Sequence, residues 1–314
     1  AQADDGTFAG GAFLVVVPGA KGKVGCIDII FVQPAHRGSG LAKRLYHEAV
    51  EMLRQQGCQT IMALVRGDNS QSLRRFECEG LAPTTLRGLS ARTGMGGLCR
   101  LFIKTASLAC ATGCWVLCDQ VVPTRSVGGT ANNTARVLGV NGLFLLCGAM
   151  LHLSSGGAWW TVLAAAFLLM LITLGETVGK HIAGGNWRFV MPEGGLVPSA
   201  IVALLGGFYP MLGHWYVTDR KNTPEYRHRM ALPAKAAWLC VLAATVICQL
   251  LKTVYPLFQC TAEFGMMLLL FYMLPFYPFD TFGGRRIRED SARSYAALTA
   301  FSIIVIALML THVI

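Results

Sequence analysis

The sequence predicts an α+β class chain in two parts: a mixed α/β domain, then an α-helical bundle of about five transmembrane spans. Three observations carry this. The 314 residues are 54% hydrophobic and only 14% charged, whereas soluble domains carry roughly 25% charged residues. The apolar residues are unevenly placed: residues 1–105 mix charged and apolar positions, and residues 137–314 hold most of the long apolar runs. In the first part, strand-like and helix-like patterns alternate.

The elements follow in order. "GAFLVVV" (11–17) and "VGCIDIIFV" (24–32) read as strands around a Gly/Pro-rich turn at 18–23. "LAKRLYHEAVEMLRQQG" (41–57) places Leu41, Leu45, Ala49, Met52 and Leu53 on one helical stripe. "TIMALV" (60–65) is a strand, "NSQSLRRFECEG" (69–80) a short capped helix ending at Gly80, and "LCRLFIK" (98–104) a final strand. Domain 1–105 is then followed by an interfacial linker, 106–136, whose "LACATGCWVLC" (108–118) is too short to span. Spans are expected at 137–153, 158–183, 232–251, 263–279 and 295–314, each near the roughly 20 residues a crossing needs. Segment 198–217, rich in Gly and Pro, reads as either re-entrant or spanning.

The net charge is +10. Cation-rich loops facing an anionic lipid surface account for it; no basic face interleaved with groove-reading elements suggests nucleic acid. If 198–217 does not cross, the positive-inside rule puts the N-terminal domain on the cytosolic, matrix or stromal face, with Arg188, Arg220, Lys221, Arg285, Arg286 and Arg288. Lys252 is nearly alone on the other side. The eleven cysteines show no disulfide or zinc spacing; Cys110, Cys114 and Cys118 read as packing residues on one helix face. The chain starts at Ala1 with no visible signal or transit segment, as a processed product would.

The junction "VQPAHRGSGLA" (32–42) carries chemistry. Gly38 and Gly40 let a ligand approach the backbone, and amides at a helix N-terminus suit a pyrophosphate. With Val32, Pro34, Arg37, Gly40 and Ala42 in place, and "NSQSLRRFECEGL" (69–81) further on, residues 10–105 resemble the GNAT acetyltransferase family. The resemblance implies a truncated GNAT-like α/β domain, because the family's first strand and first two helices find no counterpart before Ala12. It implies CoA or acetyl-CoA bound by Val32, Arg37, Gly38, Ser39, Gly40, Leu41, Ala42 and Asn69. The family's frequent acid, a Tyr, is replaced by Phe76. Asp28 matches a family Glu that relays the amine proton; the plainer reading is a solvated carboxylate at a strand mouth.

The second part also carries a resemblance. "GETVGK" (175–180) and "LLFYMLPFYPFDTFGGRRI" (269–287) are similar, in order and spacing, to the His-Glu-x-x-His and later Asp-Gly motifs of the site-2 protease family, over about 155–290. That family binds zinc through two His and one Asp. Both His positions are Gly here, Gly175 and Gly179, and only Asp280 remains, so zinc is not expected. Gly175 and Gly179 form a Gly-x-x-x-Gly face suited to close helix packing. Glu176, the position of the family's water-activating Glu, is a functional candidate inside a membrane; pairing with Lys180 is the preferred plain reading.

Two losses of chemistry in one chain point to a pseudoenzyme: an accessory subunit of a larger membrane complex, in contact with other subunits and with lipid. A respiratory, ATP synthase or photosynthetic complex of a mitochondrial inner or thylakoid membrane is the expected setting. The alternatives are a membrane-tethered, acetyl-CoA-dependent N-acetyltransferase and an intramembrane metalloprotease with a non-standard site.

Overall fold

The structure is a computed structural model. It describes residues 1–2, 6–105, 114–119, 130–151, 158–191, 196–218, 223–276 and 279–311. The chain divides into two compact units, residues 1–127 and residues 128–191 with 196–314.

In the first unit, β1 (Gly10–Gly19) and β2 (Gly22–Val32) form an antiparallel hairpin. Gly19 pairs with Gly22, so Ala20 and Lys21 make the two-residue turn that the Gly/Pro cluster announces. Next come α1 (Leu41–Gln55), β3 (Cys58–Arg66), α2 (Ser70–Cys78), β4 (Leu81–Thr84), α3 (Leu86–Lys104) and β5 (Cys114–Asp119). The five strands form one mixed sheet in the order β1-β2-β3-β5-β4, with only β2 and β3 parallel. Val17, Val24, Cys26, Met62, Val116 and Cys118 line one sheet face against Leu89, Leu98 and Leu101 of α3. Helix α1 packs on β1, β2 and β3 and buries Tyr46, Ala49, Val50 and Leu53. Leu53 is fully buried, an event worth about 1.5–3 kcal/mol for such a side chain.

Two expectations need correction here. Residues 98–104 are not a strand; they are the last turns of α3, where Leu98 and Leu101 fall at the i, i+3 spacing of a buried helix stripe. The strand comes instead from β5, inside the stretch expected as an interfacial linker. Its run "CWVLCD" is almost wholly buried and lies between β3 and β4. A continuous apolar run is what a strand covered on both faces requires, and periodicity does not separate it from an interfacial segment. Cys114 and Cys118 therefore belong to a strand, and Cys110 lies outside the described residues. Burial, with Asp119 beside it, pushes the Cys118 thiol up to about 12, which fits a packing role.

The second unit contains α4 (Thr130–Leu151), α5 (Ala158–Ala183), β6 (Trp187–Val190), α6 (Leu196–Leu204), β7 (His214–Val217), α7 (Pro224–Leu250), α8 (Pro256–Met273), a 3-10 turn (Phe279–Phe282), α9 (Gly284–Asp290) and α10 (Ala292–Leu310). Among the described residues, four helices are long and apolar enough to cross a membrane: Trp159–Ala183, α7, α8 and α10. The further span expected at 137–153 coincides with α4 as far as Leu151; residues 152–153 lie outside the described residues. Its polar residues hold the neighbouring β6–β7 region. Asn133 Nδ2 donates to the Phe189 carbonyl, and Asn141 both donates to the Met211 carbonyl and accepts from the Met211 amide. Segment 198–217 is not a continuous span: α6 ends at Leu204 and β7 pairs antiparallel with β6.

The core of this unit joins Leu168 and Ile172 of α5, Trp238 and Val241 of α7, Tyr272 of α8 and Phe282. Trp238 stacks on Tyr272 and donates to Ser302 Oγ of α10 at 2.9 Å. Asp290 clamps α9 to α7, accepting from Lys235 Nζ at 2.6 Å and His228 Nδ1 at 3.1 Å. Burial alone raises its carboxyl, but these hydrogen bonds and charges outweigh it and hold Asp290 below the ordinary carboxylate value.

Candidate functional site

The sheet of the first unit opens at one place. Parallel pairing of β2 with β3 runs from Lys23–Cys58 to Ile27–Ala63 and then stops. Beyond it, β2 continues to Val32 paired only with β1, while Leu64–Arg66 of β3 pair with β5. The two strands part there. Asp28 stands at the parting point. Phe13 pairs with Ile29 and Leu14 with Ile27, so Asp28 is the extra residue of a β-bulge. Bulges leave a residue outside the ladder and re-aim its side chain. Asp28 Oδ1 is buried with no hydrogen-bond partner, and burial holds the carboxyl above its ordinary value. A carboxylate raised in this way is better matched to taking up a proton near neutral pH.

The loop after β2 leads into α1. Gln33 and the 3-10 turn Pro34–His36 turn the chain, and Arg37 is exposed. Gly38 and Gly40 have φ +87° and +83°, a left-handed conformation that glycine adopts without strain. No atom lies within 4 Å of where a Cβ would stand on either glycine. Ser39 Oγ donates to the His36 carbonyl at 2.8 Å, which fixes the loop. Gly40 caps α1 without a side chain, and its carbonyl accepts from the Arg44 amide. The amides of Ala42 and Lys43 precede that first intrahelical bond and point out of the helix end, where the dipole favours an anion. Leu41 and Ala42 are half-buried, as is Val32 at the end of β2. Val32 through Ala42, expected to bind a CoA pyrophosphate, thus run from the end of β2 into the first turn of α1 and are exposed or half-buried throughout.

Asn69, also expected at the cofactor, stands at the start of α2. Its Oδ1 accepts from the Ser72 amide at 3.1 Å and caps α2. Phe76 is 4% exposed, with its ring edge-on to Tyr46 at 4.6 Å between centroids. Tyr46 donates its hydroxyl to Ser72 Oγ at 2.6 Å. The Phe76 position is therefore filled by packed hydrocarbon. Tyr46 lies on the buried stripe of α1 between Leu45 and Ala49, where its position reads as packing and carries no chemical signal.

In the second unit the preferred pairing of Glu176 with Lys180 is not found. Glu176 is 3% exposed, and its Oε1 accepts from His214 Nδ1 at 2.7 Å. His214 Nε2 lies 3.2 Å from Thr281 Oγ1. The tautomer that satisfies all three groups has Nδ1–H donate to Glu176 while the Thr281 hydroxyl donates to Nε2. Glu176 Oε2 is buried and has no partner. Lys180 instead lies over the face of Trp215, 3.7 Å from the ring centroid. His214 is 38 residues from Glu176 and outside every motif, so no local spacing could reveal the pair.

Gly175 and Gly179 pack as the Gly-x-x-x-Gly reading expects. A Cβ on Gly175 would stand 2.7 Å from Ala237 Cα, and one on Gly179 would stand 2.6 Å from Pro233 Cα. Helix α5 thus presses backbone to backbone on α7. A metal-binding side chain at either position has no room in this packing. Asp280 belongs to the 3-10 turn, and its side chain lies outside the described residues. Among the described residues, no group of three or more His, Cys, Asp or Glu is placed to hold a metal ion.

Residues 2–79 match the profile of the Acetyltransferase (GNAT) family. No curated protein and no solved structure matches the chain. The N-terminal unit is therefore a mixed-sheet, GNAT-like α/β domain, followed by a helical region with four candidate membrane-spanning helices.

Proposed function

We propose that the chain is an integral membrane protein that binds CoA or acetyl-CoA on its GNAT-like domain and serves as an accessory subunit of a larger membrane complex. The observation that carries the binding reading is the open cradle: two left-handed glycines with clear space above them, and outward amides at the start of α1. Val32 and Gly38–Ala42 would line the pyrophosphate, with Arg37 adding positive charge. The helical unit is read as a bundle related to site-2 proteases that has lost its metal site. In that reading Gly175 and Gly179 stand where the family's zinc-binding His residues would be, and their close packing on α7 leaves no room for such side chains. An organellar inner membrane, mitochondrial or thylakoid, is the proposed setting.

A second reading, transfer of the acetyl group to an amine, has its own observation in Asp28. The raised carboxyl with an unpartnered oxygen would accept the proton of the attacking amine. Against it stands Phe76, which offers the departing thiolate no hydroxyl.

One titration separates the readings. The full chain in mild detergent is titrated with acetyl-CoA by calorimetry, then assayed for CoA release with small amines. Micromolar binding without turnover is the expected result. Turnover that falls about 100-fold or more in Asp28→Asn, as loss of a general base gives, would establish the transferase instead. No binding by a folded chain would sink both. Extraction from the native membrane should recover comigrating subunits; a lone chain would remove the accessory role.

A further inference from the structure

The α7–α8 corner of the helical unit holds an open cavity of about 700 Å³, within the size range of small-ligand sites. It lies where three membrane-capable helices end together: α7 stops at Leu250, α8 starts at Pro256 and α10 ends at Leu310. That level is the polar edge of a bilayer. Its lining combines three kinds of chemistry. Lys252 brings a positive charge and Glu263 a negative one. Gln249, only 7% exposed, adds a buried amide, while Met266 and Met309 supply adaptable apolar surface. At the mouth, Tyr255 packs edge-on to Trp160 of α5 at 4.9 Å between centroids. Paired aromatics of this kind mark the headgroup level of membranes.

A ligand matching this lining needs an anionic group, a cationic group close to it and an apolar tail. We propose that the cavity binds a zwitterionic phospholipid. Its phosphate faces Lys252, its ammonium faces Glu263 and the Tyr255 ring, and its chain runs over Met266 and Met309. The cation–π contact suits an ammonium at the mouth. An anionic headgroup would set a negative charge against Glu263 with nothing gained. The site is independent of the CoA cradle, so failure of one leaves the other standing.

The test uses the full chain, delipidated in detergent, with added lipid followed by native mass spectrometry. Phosphatidylethanolamine should bind about tenfold tighter than phosphatidylglycerol, a difference of about 1.4 kcal/mol. Glu263→Gln should erase that preference while leaving phosphatidylglycerol binding in place. Lys252→Met should weaken both lipids. Soluble glycerophosphoethanolamine should bind far more weakly than the lipid, because it has no chain to lay on the methionines. Equal affinity for the two lipids, a preference that survives Glu263→Gln, or soluble headgroup binding as tight as the lipid would each overturn the proposal. Unchanged thermal unfolding of the two variants shows that the losses are local.

Discussion

Replacing His214 with Ala should destabilise the helical unit by about 1–3 kcal/mol, the cost of leaving a buried polar group without its hydrogen-bond partner. Glu176 is 3% exposed and has one hydrogen-bond partner among the described residues, His214. Its other oxygen already stands unpartnered. Without the imidazole, both carboxylate oxygens are buried with no donor, and Thr281 loses its acceptor. The network also joins three separate elements: α5, β7 and the 3-10 turn before α9. The effect should therefore reach beyond one contact and loosen the β6–β7 strand pair. Replacing both polar partners, Glu176→Leu with His214→Phe, should recover much of the loss, since an apolar pair strands no charge. Reversible unfolding in mixed micelles, followed by tryptophan fluorescence, measures all three proteins. A loss under about 1 kcal/mol for His214→Ala, the size of an exposed pair, would mean that the network is not buried as described.

The second large effect is expected at the glycine face. Gly179→Val puts its first added carbon 2.6 Å from both Leu232 O and Pro233 Cα. These are backbone atoms of α7 and cannot rotate aside, so α5 and α7 must separate. Overpacking typically costs about 1–3 kcal/mol and more when backbone has to move. Gly175→Ala meets the same helix through Ala237 and should add to the loss. Gly139 and Gly142 on α4 provide the control. Nothing lies within 4 Å of a Cβ on either one. Ala there should be neutral or stabilising by up to about 1 kcal/mol, through helix propensity alone. If Gly179→Val were as mild as Gly142→Ala, the close approach of α5 and α7 would be wrong. So would the argument that these positions have no room for a metal ligand.

The difference between these sites shows what could be read from the chain alone. The β1–β2 hairpin, α1, β3 and the capped α2 were legible because their periods, turns and caps are local. The glycine turn between β2 and α1 was legible for the same reason: its residues are contiguous from Val32 to Ala42. Strand β5 was not. A strand buried on both faces loses the alternation that identifies strands, and "CWVLC" carries no other mark. Helix α4 was legible as an apolar run, but hydropathy does not show that Asn133 and Asn141 hydrogen-bond neighbouring backbone. The Glu176–His214–Thr281 network was least legible, since its members are 38 and 67 residues apart and meet only when the helical unit folds. Asp28 was chosen by resemblance. The bulge that re-aims it and the burial of its oxygen follow from strand pairing, which a single sequence does not reveal.

The central claim is that the loop entering α1 is a nucleotide cradle on a membrane-embedded chain. Hydrogen–deuterium exchange of the full chain, with and without saturating acetyl-CoA, tests it most directly. The account predicts slowed exchange of the amides from Gly38 to Arg44, which surround the left-handed glycines and the first turn of α1. It predicts no change in α5, α7, α8 or α10. Protection confined to the helical unit, or none at a concentration well above micromolar, would contradict it.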